Sequence, residues 1–404
     1  MRGTVDVASF SWMPLVTVKG NIVVEVSKGL SCARGGGTVI PRAWREAGAA
    51  FRRDGGRVVV CGPKGSGKSC LARYLVNRGL GSAVALLDCD PGQPLCGAPG
   101  FVSLRILRRP MLAAPHREAH DEYVVAQQYI GDVSPRDAPE AYAACVARLI
   151  EAADRLPSLN LVVNTCGWVT GLGLNLLETI VTALSPTVFA LGDGLPGTRL
   201  PAFSGPPTAA AQQKRALQLA AYFVPDLAGA EARNGALADP DSRVAETVAA
   251  ATPWAARIDS LAVALVGPAY AATSDLAEFP DLLFSVLNAS LVGIAETTDL
   301  PENAPRSGLL VLADVTDIPC RGLAIVRGID FHSGHLLLLT PDPLALHGAD
   351  LLLRGKLSLP TNLLNRGGAS TAFPFLSCES ITADLATTMR SRHNIKRGGA
   401  PVAP

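Results

Sequence analysis

Eight consecutive residues, Gly62-Pro63-Lys64-Gly65-Ser66-Gly67-Lys68-Ser69, carry the GxxxxGK[ST] spacing with which a chain wraps a run of phosphates. Glycines let backbone N–H groups converge there, and the helix expected to follow adds the positive end of its dipole. Lys68 is placed to reach the β and γ phosphates of a nucleoside triphosphate, and the Ser69 hydroxyl to ligate Mg²⁺. About 20 residues further on stands Asp88-Cys89-Asp90-Pro91-Gly92-Gln93. Phosphoryl transfer needs carboxylates at such a place, one to organise the metal and one to accept the proton of an attacking hydroxyl. A third group, Asn164-Thr165-Cys166-Gly167-Trp168, includes a tryptophan that can stack on an unpaired base or close the core.

These residues need particular elements beneath them. The apolar run ending at Cys61, a helix pattern from Ser69 to about Leu80 and the run AVALL ending at Asp88 form a βαβ unit, which implies a parallel sheet. A helical stretch from Pro139 to Ala153, the strand LNLVVNT, a helix around Asn175 to Leu184 and the strand TVFAL extend it into a doubly wound arrangement. In that arrangement all three groups stand at the carboxyl ends of strands. The proline- and glycine-rich stretch LPGTRLPAFSGPP reads as a loop, followed by a helix from Gln212 to Phe223. Runs such as LVTVKGNIVVEV near the N-terminus, and LLVLADV, GLAIVRGID and HLLLLT beyond Ala262, read as strands. The expected fold class is therefore α/β. A P-loop NTPase-type parallel sheet over 57–262, with a lid at about 205–223, is flanked by a small β-rich unit at 1–56 and a β-rich domain at 263–404.

The 404 residues are 48% hydrophobic and 18% charged, enough apolar material for two or three packed units and too little charge for a disordered chain. A net charge of +1 excludes a uniformly basic nucleic-acid coat, so contact with nucleic acid must rest on local patches. Arg105, Arg108, Arg109 and Arg117 form one candidate, and Arg390, Arg392, Lys396 and Arg397 another; each also reads as a solvated face or a frayed tail. The nine cysteines are scattered without a CxxC pair, which argues against a disulfide framework or zinc ribbon and for a reducing compartment. His332 and His335 lack a nearby third ligand, so no metal is expected there. No uninterrupted apolar run approaches the roughly 20 residues of a membrane span, and no cleavable leader is read at the N-terminus. The expectation is a protein neither secreted nor membrane-inserted.

The spaced series GPKGSGKS, DCDPGQP, PGFVSL, YIGDVSPRDAPEAY and NTCGWVTGLG resembles the polynucleotide 5′-hydroxyl kinase family over roughly residues 57–223. RGIDFHSGHLLLLTPDPL and GKLSLPTNLL look like the C-terminal domain of its nucleolar branch. The resemblance implies an enzyme that transfers the γ-phosphate of ATP to the 5′-hydroxyl end of RNA. ATP would be held by Gly62, Pro63, Lys64, Gly65, Ser66, Gly67, Lys68, Ser69 and Cys70, and Mg²⁺ by Ser69 and Asp88. Asp90 takes the role of base, Gln93, Thr165 and Trp168 face the RNA, and Arg215 on the lid helix KRALQLAAYF stabilises the transferring group. It further implies pre-rRNA spacer processing with a partner endonuclease, in the nucleus and nucleolus. Two positions depart from the family pattern. Gln218 stands where a second lid arginine is often found, and Leu95 and Cys96 stand where a glutamate is expected. They leave open a nucleotide-binding scaffold with weak or no transfer. A P-loop GTPase or small-molecule kinase is disfavoured, because Asp88 and Gly92 are spaced DxxxG rather than DxxG and no NKxD follows.

Overall fold

The computed structural model describes residues 40–81, 83–111, 123–202, 210–224, 251–268, 287–300, 308–312, 315–330 and 332–359. The chain divides into two units, Met1–Val244 and Ala245–Pro404.

The first unit is built on a seven-stranded sheet. Its strands are β1 (Arg57–Cys61), β2 (Val84–Cys89), β3 (Phe101–Leu107), β4 (Tyr123–Tyr129), β5 (Asn160–Thr165), β6 (Thr187–Ala190) and β7 (Thr198–Arg199), in the order β4-β3-β2-β5-β1-β6-β7. The five strands from β2 to β7 pair in parallel, while β3 and β4 extend the edge antiparallel. In β1, β2 and β5 nearly every residue is buried, as a parallel sheet covered on both faces requires. On one face lie α3 (Pro139–Asp154) and α4 (Leu172–Leu184), which pack Tyr142, Leu149, Leu177 and Ile180 onto Val59, Leu87 and Val163. The opposite face takes α1 (Arg42–Asp54) and α2 (Lys68–Gly79), which bring Trp44, Phe51, Leu71 and Leu75 against Val58, Val60, Leu86 and Val162.

Helix α1 corrects the expectation of a β-rich unit over 1–56. Trp44, Ala47, Gly48 and Phe51 recur at helical spacing and are buried, so this segment belongs to the core of the P-loop unit. Gly48 lets α1 approach α2 closely, since a methyl group there would stand 2.6 Å from the Tyr74 ring. The strands expected between Val5 and Val26 lie outside the described residues. The helix expected from Gln212 is α5 (Ala211–Phe223), and within the expected loop before it Thr198–Arg199 add a short seventh strand.

The second unit carries its own seven-stranded sheet. It comprises β8 (Trp254–Arg257), β9 (Ala262–Val266), β10 (Leu291–Ala295), β11 (Gly308–Leu312), β12 (Gly322–Asp330), β13 (His335–Leu339) and β14 (Leu351–Arg354), in the order β11-β9-β14-β10-β12-β13-β8. Strand β9 pairs in parallel with β11 and β14, and the other neighbours are antiparallel. Its core gathers Leu261, Val263, Val292, Ile294, Ala324, Val326, Leu336 and Leu352. Because β8 pairs with β13, the second unit begins before the boundary drawn at 262. No helix among the described residues is long and apolar enough to cross a membrane.

Candidate active site

Strand order decides what can meet. Strand β5 lies between β1 and β2, with Asn164 level with Val60 on one side and Asp88 on the other. Neighbouring strands are about 4.8 Å apart, so the loops that leave β1, β5 and β2 emerge side by side at one sheet edge.

The loop after β1 is a phosphate cradle in form. Ser66 N donates to the Pro63 carbonyl (3.2 Å), and Gly65 and Gly67 turn the chain through φ of 82° and 97°, values that favour glycine. Gly67 caps α2, whose first residue is Lys68. The Lys68 side chain is 7% exposed and its ammonium donates to the Pro63 carbonyl at 3.0 Å. Burial pushes its pKa down, opposed chiefly by the nearby Asp90 carboxylate. Ser66 Oγ is buried with no hydrogen-bond partner among the described residues, an uncommon expense that a ligand oxygen would relieve. Pro63, Lys64 and Ser69 are exposed, and Cys70 is half-buried behind them in the first turn of α2. A buried cation, an unspent hydroxyl and a helix N-terminus in one loop fit a polyphosphate.

The acid loop after β2 gives its two carboxylates different environments. Asp88 is 1% exposed. Its Oδ1 accepts from Asn164 Nδ2 (2.9 Å) and from Asp90 N (3.3 Å), and its Oδ2 accepts from Leu95 N. Burial pushes its pKa up to about 7, against the pull of the Asn164 and Leu95 donors. Asp90 accepts from Gly92 N and Gln93 N, both at 3.0 Å and both on Oδ1. Its other oxygen has no hydrogen-bond donor among the described residues. Burial raises the Asp90 pKa, and the Gln93 amide, Lys68, the Gly92 amide and Arg215 hold it back. Asp90 therefore lies within the electrostatic reach of both the phosphate-loop lysine and Arg215.

The loop after β5 closes on the phosphate loop. A methyl group at Gly167 would stand 3.0 Å from the Lys64 backbone, so glycine lets the two loops approach closely without either giving way. Thr165 is buried and its hydroxyl donates to the Val60 carbonyl at 2.9 Å. Its side chain ties β5 to β1 and is spent there, which leaves it little to offer an RNA. Trp168 is half-buried, with its ring against Gly173 in the first turn of α4 and the Arg136 guanidinium 5.2 Å from the ring centroid. Gln93 is half-exposed at the end of the acid loop.

Helix α5 lies across the other two loops. Arg215 acts on Asp90, while Lys214 lies near Lys64 and Cys70. The departure at Gln218 has a structural use: this side chain is 5% exposed, and its Nε2 donates to the Pro94 carbonyl at 2.8 Å, so helix α5 is tied to the acid loop. Leu95 and Cys96, where an acid was expected, are buried in the core beside α2.

The sequence missed Tyr142, whose hydroxyl donates to the Cys89 carbonyl at 2.6 Å and meets the Cys166 thiol. In the sequence it stood out only as part of the helical stretch from Pro139 to Ala153. Of the first basic patch, Arg105 is 6% exposed, with its Nε donating to Ser103 Oγ, and is sealed in the sheet; Arg108 and Arg109 are exposed. Arg117 and the C-terminal patch lie outside the described residues.

A parallel sheet that presents a glycine loop, a buried lysine and a carboxylate along one edge is the construction of a P-loop kinase. Residues 62–196 match the family model described as mRNA cleavage and polyadenylation factor CLP1 P-loop. A protein of Arabidopsis thaliana named polynucleotide 5′-hydroxyl-kinase NOL9 is 29% identical over 367 residues, 80% of this chain and 92% of that one. The chain is thus similar to proteins named polynucleotide 5′-hydroxyl kinases, over most of its length in the plant relative. Schizosaccharomyces pombe has a relative named polynucleotide 5′-hydroxyl-kinase grc3, 36% identical over 142 residues, which are 32% of this chain and 19% of that one. Among solved structures, Clp1p in a complex with Pcf11p shares the fold, with a TM-score of 0.55 at 16% identity over 79% of each chain.

Proposed function

We propose that this chain transfers the γ-phosphate of ATP to the 5′-hydroxyl end of RNA. The observation that carries the reading is Asp90, a carboxylate with one oxygen fixed by two backbone amides and the other unspent, within the electrostatic reach of Lys68 and Arg215. A base must keep a lone pair for the proton it removes, and Asp90 has one to give. Gly62 to Ser69 cradle the triphosphate, with Cys70 behind them, and Lys68 and Arg215 face the charge that develops on the transferring group. Mg²⁺, when bound, neutralises charge on the phosphate oxygens, and the exposed Ser69 hydroxyl is the side chain best placed to hold it. Asp88, expected on the metal side, has both oxygens occupied by donors and supports the reading of a residue that shapes the acid loop. Gln93 and Trp168, both partly exposed, are the side chains we place against an RNA end.

The names of the plant and fungal relatives support this activity, and the fungal relative extends well beyond the matched region. On the same resemblance we assign the protein to pre-rRNA spacer processing in the nucleolus beside a partner endonuclease. Purified protein with γ-labelled ATP and Mg²⁺ should label 5′-hydroxyl RNA, spare 5′-phosphorylated RNA, and prefer RNA ends over free nucleosides. Tight ATP and RNA binding without label transfer, even with the endonuclease present, would replace the kinase with a scaffold. Transfer from GTP to a small acceptor alone would refute the RNA assignment.

A further inference from the structure

Arg136 is used by nothing described so far, yet the fold invests in placing it. It sits in the single turn Pro135–Asp137, held at both ends of its approach. Asp132 Oδ1 accepts from Val133 N and Ser134 N, and Ser134 Oγ caps the turn by accepting from Arg136 N at 3.4 Å. The same segment is pressed onto the acid loop, because a methyl group at Gly92 would stand 2.5 Å from the Val133 carbonyl oxygen. The guanidinium then lies over the Trp168 indole, 5.2 Å from the centroid, and that ring is braced from α4, where a methyl group at Gly173 would come within 2.5 Å of it. Arg136 is exposed and, among the described residues, makes no ion pair.

A cation held on an aromatic shelf with its charge unspent is a receptor for an anion. Which anion follows from position. Lys68 and Arg215 act on Asp90, where the transferred group must be, whereas Arg136 is placed over Trp168 by the segment packed on the acid loop at Gly92. It belongs to the rim shared by the acid loop and the Trp168 loop, one step out from the reacting oxygen. Since its ring already carries the guanidinium, Trp168 serves as a platform for Arg136 before it can serve as one for a base.

We propose that Arg136, seated on Trp168, grips the first phosphodiester after the 5′-terminal nucleoside of the acceptor strand. This rests on the kinase reading above and adds to it a substrate contact that requires an acceptor of at least two nucleotides. A planar guanidinium matches the two free oxygens of a phosphodiester, and one such charge-assisted contact corresponds to about tenfold in affinity.

The test measures binding of a 5′-hydroxyl RNA oligonucleotide by fluorescence anisotropy, with label transfer from ATP followed in parallel. The oligonucleotide is used as such and with an uncharged methylphosphonate at the first linkage. Arg136→Ala should weaken binding of the normal strand about tenfold and reduce the salt slope of log Kd by about 0.7, the contribution of one phosphate on a single strand. It should leave the KM for ATP unchanged and bind the methylphosphonate strand as wild type does. Arg136→Lys, which keeps the charge, should recover part of the loss, and an unchanged melting temperature guards against misfolding. Equal losses from Arg136→Ala on both strands would overturn the inference, as would no loss on either. Absence of transfer by wild type would sink the kinase reading while the binding result still judged Arg136.

Discussion

Asp88 and Asp90 are two residues apart, yet burial and hydrogen bonding give them separate tasks. The Asp88 carboxyl titrates near pH 7 in the fold and in the ordinary carboxylate range when unfolded. Between those values the native state holds the extra proton, so this group's contribution falls as pH rises from about 4 to about 7 and is fully lost above. Asp88→Asn should therefore flatten the pH dependence of the urea midpoint between pH 5 and pH 8; an unchanged pH dependence would contradict the assignment. For Asp90, burial raises the pKa while Lys68 and Arg215 hold it back. Arg215→Ala should move the acidic limb of kcat/KM to higher pH and lower kcat, and Arg215→Lys should restore the limb. A limb that stays in place would detach Arg215 from Asp90. Much of this site could be read in the chain, because GPKGSGKS and DCDPGQ encode backbone geometry as well as chemistry. Arg136 and Tyr142 could not, since each acts through a partner some 30 or more residues away along the chain, which spacing alone does not reveal.

Helix α5 works as an element because Gln218 fixes one of its turns to Pro94 while Arg215, one turn earlier, acts on Asp90. Gln218→Leu would leave the buried Pro94 carbonyl without its donor, at about 1–3 kcal/mol. The expected outcome is a lower melting temperature together with a kcat loss larger than any change in the KM for RNA. A variant with wild-type kcat would reduce the tie to stability alone. The helices α2, α3, α4 and α5 and the strands β1, β2, β5 and β6 were legible because apolar periodicity and the bordering glycines agree there. Helix α1 was not, since glycines 35 to 37 and the β-branched runs before them suggested a separate β unit, while the burial of Trp44 and Phe51 depends on α2. Arg105 misled for a similar reason: a run of arginines looks like a surface until β3 turns one of them inward.

At the scale of the molecule, each unit closes its own core around its own seven-stranded sheet. The change of texture near Ala262 was visible, but the opening strand β8 was not, because four residues with an exposed tryptophan acquire strand character only by pairing with β13. The proposed function places ATP on the first unit, so ATP at 100 times its Kd should stabilise that unit by about 2.7 kcal/mol. Lys68→Ala should cancel the gain, whereas a full ATP-dependent shift in this variant would place the nucleotide elsewhere. The account as a whole turns on Asp90 serving a triphosphate held by the Lys68 loop. Its most direct test is single-turnover transfer from γ-labelled ATP to a 5′-hydroxyl RNA by Asp90→Asn, with ATP affinity measured on the same protein. The prediction is unchanged ATP affinity and a transfer rate lower by about two to four orders of magnitude; transfer at the wild-type rate would contradict it.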